Sequence, residues 1–135
     1  MADAAASLPV SPPPFTYDWR EIARGLPLSA LDDFSAYSGI PIKQLLTSVI
    51  PPRTLKHRRE RNEPLSPEES DRLARVAKIY ELAIKVYGDR EGGKNFLVRP
   101  KRRLDEQTPL EVMRTGTGGE AVQEMLIQLA EGMVI

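Results

Sequence analysis

The sequence predicts an all-α protein in which a helix-turn-helix module is joined by a long helix to a small second helical module. From Phe15 onward aliphatic residues recur at spacings of three and four, with no sustained period of two. Ser or Thr followed three positions later by Glu marks helix starts at Ser66, Thr108 and Thr117. Glycine and proline punctuate the apolar runs at Gly25, Gly39, Pro51, Pro52 and Gly88, where helices should end.

Taken in order, residues 1–14 read as a flexible arm, because alanine, serine and the run Pro12-Pro13-Pro14 offer little to bury against the entropy of ordering. Residues 15–64 form the helix-turn-helix module. A short helix from Tyr17 to Arg24 places Trp19 and Ile22 on one side and closes at Gly25. The next, Leu28 to Tyr37, carries Leu28, Leu31 and Phe34 on one face and stops at Gly39. Ile42, Leu45, Leu46 and Val49 then make the stripe of a helix that begins near Pro41. Arg53 to Arg61 follows as a third helix of this group.

Residues 65–88 are the connecting helix, opened by Ser66 and ended by Gly88. Leu73, Val76, Ala77, Tyr80, Ile84 and Tyr87 form one apolar stripe, with Ile79, Leu82 and Val86 beside it. A helix of that apolar width needs cover on two sides, either from its own chain or from the second copy of a homodimer. Residues 89–135 form the second module: a turn or two at Asn95–Val98, a short helix from Thr108 through Met113, and one opened by Thr117 that runs to about Glu131.

Composition narrows the function. The 135 residues are 41% hydrophobic and 28% charged, the balance of a folded globular chain. The absence of cysteine excludes disulfides, thiolate metal sites and thiol nucleophiles. No run approaches the roughly 18 apolar residues of a membrane span, and the expected location is cytoplasmic. The lone histidine, His57, lies among cations, and no Ser-His-Asp set or metal-ligand spacing is present. Thr115-Gly116-Thr117-Gly118-Gly119 follows a helix rather than a strand and lacks a phosphate-loop lysine, so it reads as a helix-joining turn. The expectation is a non-enzymatic binding protein without a cofactor.

The strongest functional signal is charge. Arg53, Lys56, Arg58, Arg59 and Arg61 crowd one helix in a chain of formal net charge zero, and Leu55 is its one aliphatic anchor. Lying last in a tri-helical arrangement, it has the place of the helix that enters the major groove. Arg53, Thr54 and His57 are best placed for base edges, and Lys56, Arg58, Arg59 and Arg61 for phosphates. The Lys101-Arg102-Arg103 cluster reads as a solvated loop. At the other end, Val122, Met125, Leu126, Leu129 and Met133 lead into Met133-Val134-Ile135, an apolar end that needs either a core or a partner's pocket.

These residues carry a resemblance. Pro52-Arg53-Thr54-Leu55-Lys56-His57-Arg58-Arg59, then Leu65 to Leu73, Val86-Tyr87-Gly88, Phe96-Leu97, Thr108-Pro109-Leu110 and Leu129-Ala130-Glu131-Gly132, together resemble the Xre/MbcA/ParS family of antitoxins over about residues 25–135. The resemblance implies operator DNA and a RES-domain, NAD-consuming toxin as partners, with repression of the chain's own promoter. It places toxin contacts at Leu129, Gly132, Met133, Val134 and Ile135. Phe96 stands where many members have tryptophan. The competing expectation is a plain helix-turn-helix regulator whose C-terminal half only dimerises.

Overall fold

The computed structural model describes residues 14–132; residues 1–13 of the arm expected at 1–14, and the apolar end at 133–135, lie outside the described residues. Eight α-helices follow one another without a strand among the described residues. They are α1 Trp19–Arg24, α2 Ser29–Ser38, α3 Ile42–Leu45, α4 Pro52–Arg61, α5 Pro67–Tyr87, α6 Arg90–Val98, α7 Pro109–Val112 and α8 Gly116–Ala130.

Local chemistry sets most of these boundaries. Asp18 accepts from the Arg20 and Glu21 amides to open α1, and Gly25 ends it. Gly39, at φ 78°, stops α2 in the left-handed region that glycine enters without strain. Complete capping boxes open α5, with Ser66 and Glu69, and α7, with Thr108 and Glu111. Regular helix in α3 ends at Leu45, earlier than its apolar stripe suggests. Turns continue the stripe, since the Leu46 amide donates to Ile42 O and Val49 to Leu45 O, and both Leu45 and Val49 are buried.

Two elements differ from the expectation. Helix α6 begins at Arg90, capped by Asp89, and so contains Gly92 and Gly93, which sequence propensity treats as breakers. Their missing side chains are what bring α6 onto α5: a Cβ on Gly93 would stand 3.2 Å from both Tyr80 Cε1 and Ile84 Cγ1. Helix α8 is capped by Thr115, not Thr117, and Thr115 Oγ1 accepts from the Gly118 amide. Capping two residues earlier puts Gly118 directly against the Val112 carbonyl, where a Cβ would collide.

Helix α5 organises the core. It packs most extensively on α6 and α8 and also meets α1 and α2. Leu31, Phe34, Leu45, Leu73, Val76, Tyr80, Leu97, Leu110, Met113, Val122 and Leu126 belong to one continuous buried cluster. Of the second apolar set on α5, Ile79 is buried and Leu82 and Val86 are partly so, against elements of the same chain. Bulk burial of this kind is the main favourable term holding the two modules together.

A polar and aromatic seam adds direction to that packing. Tyr37 Oη donates to Glu81 at 2.7 Å, the Arg90 guanidinium lies 5.0 Å from the Tyr37 ring centre, and Arg90 Nη1 donates to Tyr37 O at 3.3 Å. Burial and then the Glu81 hydrogen bond push the Tyr37 hydroxyl up to about 12, so it remains a donor at neutral pH. Phe15, Phe34 and Tyr80 complete the aromatic group, with Phe34 and Tyr80 edge-on at 5.6 Å.

Two glycines in one turn make opposite predictions. Gly118→Ala, which forces the Val112 carbonyl away, should destabilise by about 1–3 kcal/mol. Gly116→Ala, whose Cβ would find only Arg75 Nη2 at 3.9 Å, should stabilise by about 0.4–1 kcal/mol. Thermal or denaturant unfolding of the two variants beside the wild type measures both.

Candidate functional site

Pro51 and Pro52 open α4 with fixed φ and no wasted amide donor, and Asn62 ends it in the left-handed conformation at φ 55°. Leu55, 6% exposed, is its buried anchor. Arg53, Lys56, His57, Glu60 and Arg61 are exposed and Thr54 is half-buried. Among the described residues Arg53, Lys56 and Arg61 form no ion pair, so their charge faces solvent unspent. Lys43, on the preceding helix, is also exposed, and the sequence reading passed over it because it stands alone in an apolar stripe.

The other two cations of α4 depart from the expectation of free phosphate clamps. Arg58 is half-buried: its Nε and Nη2 donate to the two oxygens of Glu69 at 3.1 and 3.0 Å, and Nη1 reaches Glu63 at 3.4 Å. The Glu69 side chain is 7% exposed and also accepts from the Ser66 amide at 2.8 Å. Burial alone would push this carboxyl up. The Arg58 guanidinium and the Ser66 amide outweigh it and hold the carboxyl below its ordinary value. Arg59, exposed, lies 3.4 Å from Asp32 of α2. The sequence holds no local signal for these pairs, whose partners are 11 and 27 residues away.

The helix is seated by its neighbours. Arg72 of α5 donates to Val49 O at 3.0 Å in the turn before α4, and the Leu26 amide donates to Ser70 Oγ at 2.8 Å. The buried Ser48 hydroxyl donates to Leu110 O at 2.6 Å, which ties the same turn to α7 in the second module.

In the second module Phe96 is a core residue, 2% exposed, beside the Tyr87 ring at 5.8 Å. The Lys101 ammonium stands 4.8 Å over the Phe96 ring, so Lys101 is not part of a solvated loop; Arg102 and Arg103 are exposed. Burial, then the nearby Arg99 charge, lowers the Lys101 ammonium from its ordinary value. Of the residues expected to meet a partner, Leu129 is half-buried at the end of α8 and Gly132 is exposed at φ 85°. Met133, Val134 and Ile135 lie outside the described residues. Tyr87, expected in the apolar stripe of the connecting helix, is 44% exposed at its end, and Ile127, which helical spacing did not single out, is 37% exposed.

A basic helix standing at the end of a helix-turn-helix, on a core shared with a second helical module, defines a two-module binding regulator. Residues 20–78 match the antitoxin Xre-like helix-turn-helix domain, and residues 82–132 match the antitoxin Xre/MbcA/ParS C-terminal toxin-binding domain. An antitoxin Xre of Pseudomonas putida is 46% identical over 84 residues, 62% of this chain and 53% of the relative. An antitoxin Xre of Yersinia enterocolitica is 27% identical over 114 residues, 83% of this chain and 77% of the relative. The chain therefore spans about half the length of the first relative and more of the second. It belongs to the Xre/MbcA/ParS family of antitoxins, a non-enzymatic regulatory family. No helix among the described residues is long and apolar enough to cross a membrane.

The Arg58–Glu69 pair gives a pH-dependent contribution. A carboxyl held below its unfolded value stabilises the fold fully above about 4.5 and loses that contribution as pH falls through the lowered value. Glu69→Gln should therefore be less stable than wild type by about 1–3 kcal/mol at pH 7. The gap should close on acidification, as measured by denaturant unfolding across pH 3–7.

Proposed function

We propose that this chain is the antitoxin of a type II toxin-antitoxin pair, that it blocks a RES-domain, NAD-consuming toxin with its second module, and that it represses its own operon by binding DNA. The observation that carries the DNA reading is the exposed, unpaired set Arg53, Lys56 and Arg61 on α4, with His57 exposed beside them. Such a set matches a phosphate and guanine surface, because arginine can meet guanine O6 and N7 together while other cations release counterions from phosphates. Lys43, at the start of the preceding helix, suits a backbone contact of the kind made by the helix that crosses the duplex.

The toxin reading rests on the match of residues 82–132 to a toxin-binding domain. Leu129 and Gly132, with Met133, Val134 and Ile135 following in the sequence, are the proposed contacts. A homodimer within a larger cytoplasmic complex completes the proposal. Residues 15–64 serve DNA, 65–88 connect and 89–135 hold the toxin.

The two activities should separate. Arg53→Ala is expected to weaken operator binding by about 1–3 kcal/mol and to leave toxin neutralisation intact, as read by titration with a duplex from upstream of the chain's own coding region and by growth rescue. Removing Met133 to Ile135 should do the reverse. Full neutralisation by the shortened chain would discard the tail contact, and the lack of any RES-like protein among co-purifying partners would favour a regulator that only dimerises.

A further inference from the structure

Leu55 alone cannot orient α4. Burial of an apolar side chain is non-directional, so a single leucine fixes how close the helix lies to the core but not its roll about its own axis. Roll is what decides recognition, because about 100° separates successive side chains around a helix. A modest rotation takes Arg53 and His57 off the surface they share.

Two ion pairs supply the missing constraint. Arg58 and Arg59 follow Leu55 by three and four positions and so flank it around the helix, Arg58 half-buried and Arg59 exposed. They reach in different directions: Arg58 holds Glu69 of α5 through a two-pronged contact at 3.1 and 3.0 Å, and Arg59 meets Asp32 of α2 at 3.4 Å. A planar guanidinium on both oxygens of a carboxylate fixes angle as well as distance. Glu69 is itself buried and held by the Ser66 amide in the capping box of α5.

We propose that Arg58 and Arg59 are positioning residues that set the roll of α4 through Glu69 and Asp32, and that Arg53, Lys56, His57 and Arg61 are the side chains that meet DNA. This rests on the DNA reading above. It removes Arg58 and Arg59 from the phosphate contacts that charge alone assigns them, and makes Glu69 and Asp32, two acids, requirements for sequence discrimination.

Neutralising the acids separates the two roles by sign. Glu69→Gln keeps the capping box, because glutamine serves at that position, and Asp32→Asn keeps the size of its side chain. Each removes one negative charge. If Arg58 and Arg59 were phosphate clamps held back by these acids, both variants would bind every duplex more tightly, with a steeper salt dependence of about 0.9 per added contact. Positioning predicts the opposite for the operator. Its preference over a random duplex should fall about tenfold, the loss of roughly one well-formed base contact, with the salt slope on random duplex unchanged.

Fluorescence titrations of wild type, Glu69→Gln, Asp32→Asn and the double variant on both duplexes at several salt concentrations read these quantities, with helical circular dichroism confirming the fold. Should Glu69→Gln unfold, Asp32→Asn at its exposed pair carries the same test. Unchanged preference, or tighter binding to both duplexes, overturns the proposal. Wild-type protein that binds neither duplex in a salt-dependent way refutes the DNA reading itself, and the positioning role with it, before any variant is compared.

Discussion

The first turn of α5 is the knot on which the arrangement of the N-terminal half depends. Within a few residues it caps its own helix with Ser66 and Glu69, takes the Leu26 amide on Ser70, grips Arg58 of α4 with Glu69 and holds the turn before α4 with Arg72. Each contact satisfies a polar group that burial would otherwise leave costly. Together they bring the linker after α1, the turn after α3 and the basic helix to one place, around a leucine-rich interior that is itself indifferent to orientation.

Charge therefore has two uses on a single helix. One set of cations on α4 faces water without a carboxylate among the described residues; the other, half-buried Arg58 and exposed Arg59, is paired with acids of α5 and α2. A net count over residues 53–61 mixes the two and overstates the positive surface. The dividing line is the position of Leu55, since residues three and four beyond a buried anchor share its face.

Most of the fold was legible because its signals are local. Capping boxes at Ser66 and Thr108, the left-handed stops at Gly39 and Gly88, and the apolar spacing of α2 and α5 each lie within a few residues of the boundary they set. What escaped was tertiary. Gly92 and Gly93 look like helix breakers until α5 is seen pressed against them, and the cap of α8 falls at Thr115 rather than Thr117, which lays Gly118 against the Val112 carbonyl. The same holds at the site. The exposed face of α4 followed from composition and order, whereas the pairing of Arg58 and Arg59 needed partners that only the folded chain brings near.

One continuous core under both modules has a consequence for the integrity of each. Tyr80 and Ala83 are buried on a helix that the N-terminal and C-terminal elements cover jointly, and Ser48 is bonded across to Leu110. Loss of the elements of either half strips cover from side chains that the other half also packs against. In the function proposed above, a break in either half therefore weakens both activities together, because neither module keeps its interior covered alone.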